Sequence, residues 1–409
     1  MFHSVRILLV VIGAAAGANI VGSASAQVVP NRADALDFPA KHAWDLFLTL
    51  NHPALDPKLG VRGAPDPKKK IGDPGEVVWE TWRAATPEVY TDDGRRPPDD
   101  YNDMSLVDTC PSGKVPEPPS KSDLADALSK GLNTTFKVSN IKGVHPMFNP
   151  ADGVGGPDVT GFGETRMNKA AYDFILKNEL YSFEGQQVYA ASAIAASPDK
   201  LRNLQSLQFP ADAIEVKAGW IVFTKDEVAQ GLQNKYYSVN WNGNTFGLQT
   251  LHISTKDVPN WFWTTFHHKN VPGHEFNGGE EKDDRYGLPT ELKSTVWENY
   301  ELGGTQTDFV DGLGLPDMLS DAYIENSFPQ SSCITCHSRA GMTVDGRRRS
   351  GVNPAIGVPD ASKPPFSFVD ANGKLQFAQF DFVFSTIRAV PPAGRSKFMD
   401  PCLTGGNVK

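Results

Sequence analysis

Cysteine is scarce in this chain, with four among 409 residues. That excludes a small fold stapled by disulfides, which needs a dense cysteine framework. Charge is modest as well: 21% of residues are charged, and 39 Lys and Arg stand against 48 Asp and Glu, a net charge of −9. An acidic chain gains nothing from releasing counterions off a phosphate backbone, so nucleic acid is excluded as a partner class. Beyond the first 26 residues no run of 18 apolar residues occurs, and the mature chain is expected to carry no integral membrane segment. Familiar catalytic signatures are missing too. There is no Gly-x-Ser-x-Gly, no Walker loop, no His-Glu-x-x-His, and no Gly-x-Gly-x-x-Gly followed by an acid. What is present is an ordinary globular composition, with 40% hydrophobic residues, 37 Gly and 31 Pro. The length suits two or three domains.

Residues 1–26 read as a secretory signal. Arg6 precedes an apolar run from Ile7 that continues through small residues to Val21, and Ala24-Ser25-Ala26 forms a small-x-small cleavage site. Gly13, Gly17 and Asn19 interrupt the run, which is too short and too polar to span a bilayer. Cleavage after Ala26 is expected, with export to an oxidising compartment.

Two of the cysteines lie in Cys333-Ile334-Thr335-Cys336-His337. Cys-x-x-Cys-His is the attachment signature for haem c. Thiols three positions apart reach the two vinyl groups along one edge of the porphyrin, and the adjacent imidazole serves as proximal iron ligand. A thioredoxin-like pair would need a βαβ setting, and Pro329-Gln330-Ser331-Ser332 does not provide one. A zinc site would need a second Cys/His pair at ligand spacing. Only Cys110 and Cys402 remain, neither with a nearby His. One covalent haem c is therefore expected, held by Cys333, Cys336 and His337. In an oxidising compartment the even remainder predicts a Cys110–Cys402 disulfide, with two separate free thiols as the alternative.

The elements predict an α+β chain: an antiparallel β-rich module with flanking helices over residues 27–289, then a mostly helical, cytochrome c-like haem region over 290–409. Helices are expected at 34–52, 122–132 and 165–180 from their apolar periodicity. Strands are expected at 213–223, 236–241, 246–253 and 261–266, with Asn242-Gly243 as a hairpin turn. A short helix is expected from Pro316 to Phe328. Residues 377–390 alternate like a strand but also fit a helical face, and are read as helix. The acidic run Glu280 to Asp284 reads as solvated surface.

The sixth iron position is open on sequence. Met399 lies at the range where class I cytochromes place a thioether ligand. Met318 reads as core, and Met342 lies too close to His337. His252, His267 and His268 sit on or beside aromatic strands and form the second candidate class. A water-bound or open iron is the third. Arg339, Arg347, Arg348, Arg349 and Arg395 are candidates for pairing haem propionates. Two functions follow. The first is one-electron transfer to a periplasmic redox partner protein. The second is a haem-dependent oxidoreductase acting on a small oxidant or organic substrate, with His252 or His268 as acid/base.

Cys333 to His337 resembles the motif of any c-type cytochrome. Trp44 to Pro53, Asp73 to Trp82, Leu251 to His268 and Glu301 to Ala340 resemble a group of exported bacterial mono-haem proteins of the cytochrome c family. The resemblance covers most of the mature chain. It implies periplasmic haem c and a shared fold, and implies no substrate.

Overall fold

The computed structural model describes residues 30–59, 61–90, 97–98, 100–102, 161–196, 207–241, 244–270, 284–321, 332–348 and 376–389. The signal, Cys110, Cys402, Met399 and the helix expected at 122–132 lie outside the described residues. No helix among the described residues is long and apolar enough to cross a membrane.

A seven-stranded antiparallel sheet organises the molecule. Its strands are β1 (Arg83–Ala84), β2 (Gly161–Met167), β3 (Ile214–Phe223), β4 (Ser238–Trp241), β5 (Asn244–Thr255), β6 (Phe262–His268) and β7 (Tyr300–Gln306). The order is β1-β2-β3-β5-β6-β7, with β4 paired to the first part of β5. The β4–β5 pairing closes at Trp241↔Asn244, as the Asn-Gly pair between them predicts.

Strand alternation gives the sheet two faces, and each buries its own core. Val216 pairs with Ile253, Ala218 with Leu251, and Leu251 with Phe266, so these apolar side chains share one face. Helix α2 (Pro39–Leu50) covers that face. Its buried Ala43, Trp44, Phe47 and Leu50 recur at helical spacing. The Phe47 ring lies 4.4 Å from Phe266, and Trp44 lies 4.9 Å from it. Each fully buried aromatic of this kind contributes roughly 1.5–3 kcal/mol through burial alone. The helix expected at 34–52 is broken: α1 (Asp34–Asp37) is separated from α2 by Phe38, whose backbone at φ −141° and ψ 62° is not helical, just before Pro39.

The opposite face carries Glu215, Lys217, His252, Ser254, Trp263 and Thr265. The pairs Glu215↔Ser254, Lys217↔His252, His252↔Thr265 and Ser254↔Trp263 fix this assignment. Its core includes Tyr172 and Ile175 of α3 (Lys169–Lys177), Ala190 and Ala193 of α4 (Phe183–Ala196), and Ile334, Met342 and Phe380. The helix expected at 165–180 starts late, because Thr165–Met167 are the end of β2, paired with β3. The Asn168 side chain then caps α3 by accepting from Ala171 N at 3.1 Å.

The mostly helical region expected over 290–409 is not shown by the residues described there. Among the described residues there, β7 extends the main sheet, and β8 (Gly341–Thr343) pairs with β9 (Phe377–Gln379). The one α-helix among them, after α5 (Lys225–Ala229), is α6 (Cys333–His337). Phe377–Gln379 follow the strand alternation, and Phe384–Arg388 form a 3-10 turn in place of the expected helix. The backbone of Pro316–Leu319 is tied by bridges Val310↔Pro316 and Leu319↔Ser332, which leaves those residues out of a helix. Residues 320–321 are not helical either, and the rest of that segment, 322–328, lies outside the described residues.

Candidate haem-attachment site

The motif is held at its start by a side chain from the main sheet. Gln306, the buried last residue of β7, accepts from Ile334 N at 3.0 Å. Its amide nitrogen donates to Ser332 Oγ at 3.0 Å and to Asp317 O at 2.6 Å. Ser332 in turn caps α6, its Oγ accepting from Thr335 N at 3.3 Å. Cys333 N donates to Leu319 O at 3.1 Å. The motif helix is thus tied to the end of β7 and to the segment before it. Cys333 and Cys336 lie three positions apart on this short helix, and so point to the same side; the Cys333 thiol donates to Leu319 O at 3.2 Å. Cys333 is buried and Cys336 half-buried.

His337 ends the helix. Its Nδ1 lies 2.8 Å from the carbonyl oxygen of Phe382, which can only accept. Nδ1 therefore carries the proton, and Nε2 keeps its lone pair. Burial lowers the His337 pKa to about 4, with the Phe382 carbonyl opposing and Lys217 adding to the fall. The ring is accordingly neutral at physiological pH, the state that ligates a metal. Its walls are aromatic: Trp263 at 4.4 Å between ring centres and Phe384 edge-on at 5.4 Å.

The Phe382 carbonyl reaches His337 from an unusual backbone. Asp381 and Phe382 both sit in the left-handed region, at φ 46° and 68°. Neither residue favours that conformation, and Phe382 least, so tertiary contacts must hold it. Asp381 supplies them. Its carboxylate accepts from Lys256 Nζ at 2.6 Å and from Phe209 N at 2.8 Å. Lys256 and Asp381 are 6% and 2% exposed, and Lys256 also donates to Pro259 O at 2.7 Å.

The structure separates the three candidate histidines. His252 lies on the same sheet face as Trp263, its ring centre 6.4 Å from that of His337. It is buried, its Nδ1 has no hydrogen-bond partner, and burial lowers its pKa to about 3, with His337 and Lys217 adding to the effect. His268 falls on the other face by strand parity. It stacks on Tyr236 at 3.6 Å, and both its nitrogens are engaged, with Lys235 O at 2.9 Å and Asn270 N at 3.1 Å. His267 shares the face of His252 but lies beside Glu301 at 3.7 Å. Met342 is buried on β8, and Met399 lies outside the described residues. Of the arginines, Arg348 donates to Gln186 Oε1 and Ala389 O at 2.6 and 2.8 Å, and Arg347 pairs with Asp345 at 2.9 Å on the surface. Arg339 is half-buried, while Arg349 and Arg395 lie outside the described residues.

The residues fit a covalent haem. A one-turn dithiol, a neutral imidazole with Nδ1 committed and Nε2 bare, and an aromatic wall are the donor set haem c uses. They do not form a bare metal site: among the described residues, no group of three or more His, Cys, Asp or Glu converges to hold an ion. No family model, curated protein or solved structure matches the chain.

Proposed function

We propose that this protein is an exported mono-haem c-type cytochrome that transfers one electron at a time to and from a periplasmic redox partner protein. Cys333 and Cys336 would hold the porphyrin by thioether bonds, and His337 would be the proximal ligand. The observation that carries the reading is the 2.8 Å contact from His337 Nδ1 to the Phe382 carbonyl, one residue beyond two cysteines on a single helical turn. A ligating imidazole needs such an outer partner to fix its tautomer and orient its ring.

The haem supplies the redox chemistry, and the chain's residues do the rest. Phe382 O holds the proton on Nδ1 and raises the basicity of Nε2. Burial keeps His337 neutral. Trp263 and Phe384 exclude water from the ring, and exclusion of water and charge is one of the levers on a haem potential. The signal over residues 1–26 supports export, because haem c is attached outside the cytoplasm.

The test is expression of the full chain with an export signal and a haem c maturation system. The wild type should retain its haem under denaturing electrophoresis and give one haem c per chain as the pyridine haemochrome. The Cys333→Ser/Cys336→Ser variant should retain none. A wild type without covalent haem, or a double variant that keeps it, overturns the reading.

A further inference from the structure

We infer that His252 supplies the second axial ligand of the haem iron, making the centre bis-histidine. The inference rests on the haem c reading above.

Its ground is the pairing of His252 with His337 across the second core. An imidazole buried with an unpartnered nitrogen is disfavoured, and such a group in a native fold calls for an explanation. His252 is 6% exposed, and its Nδ1 has no partner. No neighbour on its sheet face supplies one. The Thr265 hydroxyl opposite it donates to Asp321, and Trp263 stacks on it at 5.9 Å with a donor already given to Asn260 O. With Nδ1 uncommitted, nothing fixes the tautomer, and a ring nitrogen is available to a metal. Ser254 and Thr250 flank it on the strand and are not iron ligands of choice.

Distance points the same way. Two imidazoles bound to opposite sides of one metal ion by bonds of roughly 2 Å have ring centres roughly 6 Å apart. His252 and His337 stand at 6.4 Å. They come from elements of different origin: His252 from the middle of the main sheet, held between Lys217 and Thr265, and His337 from the motif helix. The sheet therefore presents a fixed distal group to the haem segment. The indole of Trp263 borders the pair, 4.4 Å from His337 and 5.9 Å from His252. The other histidines do not compete on these terms. His268 has both nitrogens bonded on the far face. His267 Nδ1 also lacks a hydrogen-bond partner, but it lies 3.7 Å from Glu301, whereas the His252 ring faces His337 at 6.4 Å.

This gives the large sheet a role that a bare electron shuttle lacks: it carries the distal ligand. The test is the absorption and electron paramagnetic resonance spectrum of the haem-loaded, full-length protein. The ferric wild type should be low-spin without the far-red thioether-to-iron band. His252→Ala should lose the low-spin signal in favour of high-spin iron, and added imidazole should restore it. His267→Ala and His268→Ala should keep the wild-type spectrum. His252→Met should retain the iron's sixth ligand and gain the thioether band, which covers the case in which the alanine variant fails to fold. A thioether band in the wild type, as Met399 would give, overturns the inference. So does a high-spin wild type, or a low-spin His252→Ala protein. The pyridine haemochrome is blind to axial ligands. Covalent haem present with an unchanged His252→Ala spectrum sinks this inference alone, whereas absent covalent haem sinks the proposed function.

Discussion

Lys256→Met is expected to destabilise the protein by about 3–5 kcal/mol, the range for breaking a buried ion pair from one side. Lys256 Nζ lies 2.6 Å from Asp381 Oδ1, and both side chains are almost fully buried. Removing the ammonium leaves a carboxylate in the core with the Phe209 N–H and the Trp261 side chain to answer it. Against a typical total stability of about 5–15 kcal/mol, this is a large fraction. The loss should depend on pH. Burial already pushes Asp381 up to about 6, with Lys256 opposing. Without the lysine the carboxyl rises further, so the folded state prefers it protonated. A folded-state value above the unfolded one gives stability that is present in acid and lost as pH rises through the folded value. Lys256→Met should therefore lie closest to wild type near pH 4 and furthest from it near pH 8. Lys256→Met/Asp381→Asn removes both charges and keeps an acceptor for Phe209 N, and should recover most of the loss. Urea unfolding at the two pH values measures all three proteins. A single variant within about 1 kcal/mol of wild type at pH 8 would show that the pair does not hold the turn. Because Asp381 anchors the left-handed pair that aims Phe382 O at His337, the same variant should also lower the fraction of chains carrying haem c.

That turn also marks the limit of what the sequence discloses. Cys333, Cys336 and His337 are legible because thioether attachment is a matter of local spacing. The strands of 213–266 are legible because one face is apolar and the alternation has period two, and Asn242-Gly243 announces the β4–β5 hairpin. The partner of His337 is a different kind of object. It is a backbone carbonyl 45 positions later, and no side-chain identity encodes a carbonyl. Gln306 and Ser332 carry a weak signal, since an amide beside a capping serine is common in loops. Their joining depends on β7 ending opposite the motif. The choice between His252 and His268 is a question of strand parity. It becomes answerable only once the register His252↔Thr265 is known, since a one-residue slip moves every side chain to the other face. The helix expected over 377–390 is absent among the described residues there for a related reason. Phe380, Phe382 and Phe384 alternate like a strand while Phe377, Phe380, Phe384 and Ile387 fit a helical face, and pairing with Gly341–Thr343 makes a strand of Phe377–Gln379 alone.

The first core holds the second large effect. Glu80 is 1% exposed. Its Oε2 accepts from Val77 N at 2.9 Å and from the Tyr237 hydroxyl, while Oε1 has no partner. Burial pushes its carboxyl up to about 8, the nearby Glu76 adds to the rise, and the two hydrogen bonds oppose it. Glu215, buried on the other face and accepting from Ser385 Oγ at 2.5 Å, is pushed up by burial to about 7. In both cases the folded value exceeds the ordinary glutamate value of 4.5. The folded state thus holds protons that the unfolded chain has already released. Stability from these groups is full below about pH 4.5 and falls as pH rises towards 8. At about 1.4 kcal/mol per unit, Glu80 alone accounts for a fall on the order of 5 kcal/mol across that window. The urea midpoint should accordingly be higher at pH 5 than at pH 9. Glu80→Gln keeps an oxygen for Val77 N and Tyr237 and cannot ionise. It should match the wild type near pH 5, exceed it near pH 9, and flatten the pH profile by the Glu80 share. A midpoint that rises with pH in the wild type, or a Glu80→Gln protein weaker than wild type at pH 9, would mean that the two hydrogen bonds to the carboxylate outweigh its burial.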